Sequence, residues 1–170
     1  MEKSKFTALL ISIFLGIILC QAISENIIFI ATVEGKSMSP TFNSTDKVLV
    51  YKTQEVSKGD IIVSKEPITN KKIIKRCIAT PGDIIQITNS IVYVNGNPLE
   101  DNYSKGKTYG GCAESEISLN KGEYFILGDN RENSKDSRYF GVIKKNTIIG
   151  KVLIKEELKW KREAKTFYIL

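Results

Sequence analysis

Residues 73–94 read IIKRCIATPGDIIQITNSIVYV, and this stretch decides the fold. It contains three short runs rich in β-branched residues, at 73–79, 84–88 and 91–94. Pro-Gly-Asp separates the first run from the second, and Asn-Ser separates the second from the third. Both breaks are typical of tight turns between neighbouring strands. The stretch therefore predicts consecutive strands joined by short connections, as in an antiparallel sheet.

The same pattern continues outward in both directions. Further apolar runs bounded by turn residues lie at 47–51, 60–63, 124–127 and 148–154. Several short strands at close spacing are typical of twisted or barrel-like sheets, so we predict a mainly β domain with a twisted or barrel-like antiparallel sheet. Residues 99–120 are polar and less regular, which predicts a loop. The charged tail, 155–170, predicts a solvated terminus, with a short amphipathic helix at a membrane surface as the alternative.

An apolar segment precedes the β region. Residues 6–23 are almost unbroken apolar residues, and as a helix they would span about 27 Å, close to the hydrocarbon thickness of about 30 Å. Lys3 and Lys5 precede the segment and the next basic residue is Lys36, which predicts a cytoplasmic N-terminus. We therefore expect a single-pass protein of the cell membrane. Its parts are a cytoplasmic N-terminus (1–5), a transmembrane anchor (6–23), an extracytoplasmic β-rich domain (24–154) and a C-terminal tail (155–170).

The apolar segment has two other interpretations. A cleaved signal peptide is the rival, because Cys20-Gln21-Ala22 resembles a small-residue cleavage site. The anchor is favoured, because the apolar run continues through Ile23 and resumes at 27–30. A lipid-modified Cys20 is disfavoured, because the bulky Leu19 precedes it where a small residue is expected.

The composition excludes several kinds of active site. The chain has no histidine, which excludes the Ser–His–Asp triad, Cys–His pairs and His-ligated metal sites. Any hydrolytic chemistry must use lysine or a carboxylate as its base, and we predict neither a metal nor a cofactor. The net charge of +6 is spread along the chain, which disfavours nucleic-acid binding. Cys77 and Cys112 lack the spacing of a zinc site, and a disulfide between them and two free thiols are both open.

Three clusters of residues carry candidate chemistry. The first, 34–41, places Ser37 after Gly35 and before Pro40. A turn there exposes a hydroxyl beside free backbone N–H groups, as an oxyanion hole requires, although alone this cluster is an ordinary loop. The third, 128–141, follows an apolar strand and is dense in side chains that hydrogen-bond the backbone, which predicts a rigid loop.

The second cluster is the opening stretch, with Lys75 at its centre. In a strand, alternation places Ile73, Lys75, Cys77 and Ala79 on one face. Apolar neighbours reduce the solvation of the ammonium group and so lower the pKa of the lysine. A neutral amine near physiological pH can accept a proton from Ser37, which makes Lys75 a candidate general base. The alternative is a lysine that extends into solvent, the usual arrangement for a strand lysine.

The three clusters together resemble the motifs of bacterial type I signal peptidase. These motifs are Gly-x-Ser-Met-x-Pro-Thr at 35–41, Lys-Arg with Pro-Gly-Asp at 75–83, and Gly-Asp-Asn-Arg-x-x-Ser-x-Asp-Ser-Arg at 128–138. Their order behind one apolar segment is similar to the compact Gram-positive form, and the resemblance covers 6–152. It implies a membrane-bound serine endopeptidase without a cofactor, which cleaves the signal peptides of exported preproteins after a small residue. Its partners would be those signal peptides and the lipid bilayer.

The resemblance also implies roles for individual residues. Ser37 corresponds to the nucleophile and Lys75 to the general base of the family. Ser134 corresponds to the serine whose hydroxyl orients that lysine. Asp136 and Arg138 correspond to the structural pair that supports the site.

The oxyanion region departs from part of the family. The resemblance implies that the backbone N–H of Ser37 donates to the oxyanion. Some members carry a second donor serine where this chain has Gly35, so a second donor here must be a backbone group or be absent. Met38 is implied to line the region of the scissile bond, and an ordinary core methionine is the alternative.

Two other functions remain open from the sequence. One is another Ser–Lys dyad protease, such as the self-cleaving SOS-repressor type, which normally carries a DNA-binding region where this chain has an apolar segment. The other is a catalytically idle, membrane-tethered binding module. Loss of Ser37 or Lys75 would indicate such a module, and both residues are present.

Overall fold

The N-terminal helix leads directly into the β domain. The computed structural model describes residues 2–156 and 167–169. Helix α1 (Glu2–Ile27) occupies the region of the predicted anchor and passes without a loop into the first strand. None of the helices among the described residues combines the length and the apolar character that a membrane span requires.

The described residues form twelve strands, and most of them coincide with the short β-branched runs. In chain order they are β1 (Ile28–Val33), β2 (Lys47–Tyr51), β3 (Ile61–Lys65), β4 (Lys72–Ala79), β5 (Ile84–Thr88), β6 (Ile91–Val94), β7 (Asn97–Pro98), β8 (Ile117–Ser118), β9 (Glu123–Leu127), β10 (Ile143–Lys144), β11 (Ile148–Glu156) and β12 (Phe167–Ile169). A one-turn helix, α2 (Ser137–Phe140), and two 3₁₀ turns, Gly111–Ala113 and Lys145–Thr147, lie between strands.

The strands form two sheets. The larger has eight strands in the order β10-β9-β4-β3-β11-β2-β1-β12, and every pair is antiparallel except β1 with β12. The smaller has the order β7-β6-β5-β8. Its β5–β6 hairpin turns through Asn89 and Ser90, whose φ angles are both positive, as the predicted tight turn requires.

Strand β4 lies at the centre of the packing. Ile78 and Ala79 belong to a core shared with the small sheet, while Ile74 packs with residues of β1 and β2. Ile73 and Cys77 belong to a third core with residues of β9 and β11. Because this strand is buried on both faces, a polar side chain within it is held away from bulk water.

Two predictions about the fold are corrected by the structure. The large sheet does not close into a barrel, since β10 and β12 remain its two edges among the described residues. The C-terminal tail is not wholly a solvated terminus or a helix, because its residues 167–169 form β12 alongside β1. Edge pairing by backbone hydrogen bonds explains this, and the pattern of side chains in the tail does not reveal it. Residues 157–166 of the predicted tail lie outside the described residues.

Candidate active site

Ser37 lies in the loop that follows β1. The loop turns through Gly35, whose φ of 82° is in the left-handed region that favours glycine. Met38 anchors the loop to the core, because its side chain is only 1% exposed and packs in the same core as Phe42. The predicted contact of Met38 with substrate stays a prediction. On the other side, Asn130 donates its backbone N–H to the carbonyl oxygen of Ser37 at 2.9 Å.

Lys75 projects from β4 into the same place. Its Nζ lies 2.8 Å from Ser37 Oγ and donates to the carbonyl oxygen of Ile74 at 3.0 Å. Strand alternation places the side chain on the face of Ile73 and Cys77, as predicted, and Ile62 lies opposite on β3. The structure therefore brings the two predicted catalytic side chains into hydrogen-bond contact.

The surroundings of Lys75 favour its neutral form. The residue is 2% exposed, and burial lowers its pKa from the ordinary 10.5 to about 8, because the charged amine loses its hydration. The carboxylates of Asp136, Glu66 and Asp129 act in the opposite direction and offset part of this effect. A lysine with such a pKa supplies a neutral amine near physiological pH, which is the form that accepts a proton.

Ser134 lies close to this pair. Its hydroxyl is buried and has no hydrogen-bond partner among the described residues. A Cβ atom at Gly128 would overlap the Ser134 side chain and the carbonyl oxygen of Ser37, so only glycine allows these segments to approach so closely. The hydrogen bond from Ser134 that orients Lys75 stays a prediction.

Asp136, at the end of the loop that follows β9, and Arg138, in the short helix α2, form a buried ion pair. Arg138 donates from Nε and Nη2 to the Asp136 carboxylate at 2.8 and 2.9 Å, and also from Nη2 to the Arg131 carbonyl oxygen at 2.7 Å. Asp136 additionally accepts from the N–H of Gly128 at 3.0 Å. These bonds close the loop on itself, which is consistent with the supporting role that was predicted for both residues.

A second ion pair was missed by the sequence analysis. Arg76 donates from Nε and Nη2 to the Asp129 carboxylate at 2.9 and 2.7 Å. Asp129 also accepts from the hydroxyl of Thr41, which lies in the loop between β1 and β2 that carries Ser37, here called the serine loop. Because Arg76 follows Lys75 directly, this pair links the strand of the candidate base to the loop of the candidate nucleophile. Alternation places Arg76 opposite Lys75, but sequence alone does not show which carboxylate it meets.

Ser37 and Lys75 line a cleft of about 390 Å³. Its lining combines Ser37 and Lys75 with the neighbouring loop and strand ends, and the other lining residues are Glu34, Gly35, Lys36, Glu66, Thr69, Lys71, Ile73, Asn133 and Lys135. The contribution of 66–71, the connection between β3 and β4, was also missed, because its residues carry no recognisable motif.

Cys77 and Cys112 do not take part in this site. Cys77 and Cys112 are both free, so the structure favours two thiols over the disulfide that was left open. Burial raises the pKa of Cys77 to about 12, and the thiol is therefore protonated at neutral pH. Cys77 lies on the same face of β4 as Lys75 but offers no competing nucleophile.

The family model and the curated relatives agree on one family. A family model described as signal peptidase, peptidase S26, matches residues 6–155. Signal peptidase IB of Staphylococcus aureus is 33% identical over 170 residues, covering 88% of each chain. Signal peptidase I of Leptolyngbya laminosa is 30% identical over 156 residues, covering 85% of this chain and 76% of that protein. A crystal structure of a signal peptidase I from Enterococcus faecalis V583 covers 59% of this chain and 97% of its own, with 30% identity and a TM-score of 0.47.

Proposed function

The chain belongs to the signal peptidase family, peptidase S26, and we propose that in it Ser37 is the nucleophile and Lys75 the general base. As a member of that family it is a serine endopeptidase that cleaves signal peptides. The single observation that carries the assignment of the two residues is the 2.8 Å contact between Lys75 Nζ and Ser37 Oγ, made by a lysine that is 2% exposed.

The reaction is acyl transfer in two steps. The neutral amine of Lys75 takes the proton of the Ser37 hydroxyl as Oγ attacks the carbonyl carbon of the scissile peptide. The backbone N–H of Ser37 donates to the oxyanion, and the Lys75 ammonium group then gives its proton to the leaving amine. A water molecule, deprotonated by Lys75, hydrolyses the acyl-enzyme and restores both side chains.

The substrate that fits this site is an extended peptide with a small residue before the cut. Membership of the signal peptidase family supports this preference, and Gly35 is among the residues that line the cleft beside Ser37. Discrimination by size in such a pocket is modest for each methylene group, so strong selection needs contacts on more than one substrate residue.

Cleavage of an exported preprotein by the purified full chain tests this function. We expect one cut after a small residue at the end of the signal peptide, identified by N-terminal sequencing of the product. A matched preprotein with leucine in place of that small residue should be cleaved much more slowly, because the proposed specificity is for a small side chain at that position. Equal cleavage of both substrates would contradict the proposed specificity, and no cleavage of either would contradict the function.

We also propose that the N-terminal segment anchors the enzyme to a lipid bilayer, with residues 24–154 on the outer side. The described side chains of α1 include large apolar groups that are exposed, such as Phe6, Phe14 and Ile18. Exposed apolar surface of this extent indicates contact with a partner or with lipid. The lysines before the segment favour a cytoplasmic N-terminus.

The proposed topology can be tested in intact spheroplasts. Protease added from outside should digest the β domain, and alkaline extraction should leave the chain in the membrane fraction. N-terminal sequencing should find no cut after Ala22, because the anchor is retained. The matched measurement uses lysed spheroplasts, in which a cytoplasmic marker protein also becomes digestible. A domain protected in intact spheroplasts, or a mature form that begins at Ile23, would contradict the proposal.

A further inference from the structure

A segment outside the recognised motifs crosses the loop that holds the candidate nucleophile. We call residues 101–108 the strap. At its middle, the N–H of Lys105 donates to the Asp129 carbonyl oxygen at 2.8 Å, and the Lys105 carbonyl oxygen accepts from the N–H of Arg131 at 2.9 Å. The strap therefore pairs with the backbone on both sides of Asn130, the residue whose N–H binds the Ser37 carbonyl oxygen.

Both ends of the strap are tied to one buried side chain. Arg131 is 2% exposed, and its Nη1 lies 2.7 Å from Asp101 Oδ2 and 2.9 Å from Thr108 Oγ1. These contacts close the strap over the loop that follows β9. A segment held at its middle and at both ends has one position relative to that loop, although it contains no regular secondary structure.

Tyr103 is the side chain that the strap places on the link between base and nucleophile. The centre of the Arg76 guanidinium group lies 3.9 Å from the centroid of the Tyr103 ring. That distance is within the range of a cation–π contact. Arg76 is at the same time bound to Asp129 through two hydrogen bonds, so the ring covers an ion pair whose side chains are only 11% and 1% exposed.

The Arg76–Asp129 ion pair joins the two segments that carry Lys75 and Ser37, whose Nζ and Oγ atoms lie 2.8 Å apart. Arg76 belongs to β4 and follows Lys75 directly. Asp129 accepts from Thr41, and its neighbour Asn130 donates to the carbonyl oxygen of Ser37, so Asp129 and Asn130 are both joined to the serine loop. An ion pair that water enters is weaker and is screened by salt, whereas a pair kept from water holds its geometry. Displacement of a catalytic group by about 1 Å can cost about 10²-fold in rate.

We propose that Tyr103 is a positioning residue: its ring shields the Arg76–Asp129 ion pair from water and thereby keeps Ser37 at hydrogen-bond distance from Lys75. This inference rests on the proposed function of Ser37 and Lys75. It assigns a role in the reaction to a residue that lies outside all three sequence motifs.

The experiment compares four variants of the full chain in a peptide cleavage assay. Tyr103→Phe keeps the ring, Tyr103→Leu keeps apolar volume without a π face, and Tyr103→Ala removes both. Tyr109→Ala is the matched control, because Tyr109 is 64% exposed and follows the strap. For each variant, kcat and KM are measured at low and high salt and are normalised to the folded fraction, which is determined by circular dichroism.

We expect Tyr103→Phe and Tyr109→Ala to match the unmodified chain. Tyr103→Leu and Tyr103→Ala should lose about 10-fold to 10²-fold in kcat with little change in KM, because geometry is lost and substrate contacts are not. Their kcat should also fall further as salt increases, since the uncovered ion pair becomes screened. A purely structural role would lower the folded fraction and leave kcat per folded molecule and its salt dependence unchanged.

The outcomes separate this inference from the proposed function. If the unmodified chain and Tyr109→Ala cleave the peptide but Tyr103→Leu does so with full kcat, Tyr103 is not a positioning residue and the dyad is unaffected. If Tyr103→Ala does not fold, the leucine variant decides the question alone, because it preserves most of the buried volume. Absence of cleavage by the unmodified chain would overturn the proposed function itself.

Discussion

Replacement of Ser37 by alanine should lower kcat by on the order of 10⁴-fold to 10⁶-fold, which is the range for removal of the nucleophile from a serine protease. The chain contains no histidine that could activate a substitute, and Cys77 is held as a protonated thiol by burial. Peptide cleavage at saturating substrate, followed over hours, measures the residual rate. The fold should persist, because the lost atom is one hydroxyl oxygen at the mouth of a cleft.

The matched control for this variant is Ser44→Ala. Ser44 lies in the same loop and is exposed, and its hydroxyl has no place in the proposed chemistry. Its replacement should leave cleavage at the level of the unmodified chain. Cleavage by the Ser37→Ala variant above a blank without enzyme would show that another group attacks the peptide.

The second large effect concerns the ionisation of Lys75. Only the neutral amine accepts the proton of Ser37, so the rate should rise with pH through the pKa of about 8 and reach a plateau above it. Below this pKa the rate should fall about tenfold for each pH unit, because the reactive fraction falls by that factor. A lysine with the ordinary pKa of 10.5 would place the same rise far into the alkaline range.

Replacement of Lys75 by arginine tests whether the side chain at position 75 must act as a base or need only carry a positive charge. Lys75→Arg keeps a positive charge but cannot lose its proton in this pH range, so we expect no measurable cleavage at any pH from 6 to 10. Lys65→Arg is the matched control, since Lys65 is exposed at the end of the neighbouring strand β3. A pH–rate profile of kcat/KM for the three proteins is the measurement. A rise centred near the ordinary lysine pKa, or activity in the Lys75→Arg variant, would exclude Lys75 as the base.

Local patterns predicted seven of the twelve described strands, β2 to β6, β9 and β11, and singled out Lys75, whereas β1, β7, β8, β10 and β12 were missed. The β-branched runs at 47–51, 84–88 and 91–94 form β2, β5 and β6. They could be predicted because the alternation of buried and exposed side chains along a strand appears in consecutive residues of the sequence. Lys75 was singled out by the same alternation, and its burial follows from the apolar residues on its own face.

Long-range contacts were beyond these patterns. The partner of Arg76 lies 53 positions away at Asp129, and the strap reaches that loop through backbone hydrogen bonds that any side chain permits. Residues 99–120 were predicted to be a loop because they lack periodicity. Most of them are irregular, but they also contain the strap, the 3₁₀ turn at Gly111–Ala113 and strand β8. The open sheet and β12 depend likewise on which edges meet, a property of the whole fold.

Burial of Lys75 makes the stability of the domain depend on pH. The pKa of this lysine is near 10.5 in the unfolded chain and about 8 in the folded one, so between these values the unfolded chain binds more protons. The free energy of unfolding therefore increases as the pH rises through this window. Below pH 8 both states hold the proton, and the folded state carries the full cost of the buried charge, about 3 kcal/mol. At neutral pH the rest of the domain must supply that free energy, which is a large part of the 5–15 kcal/mol typical of a folded domain.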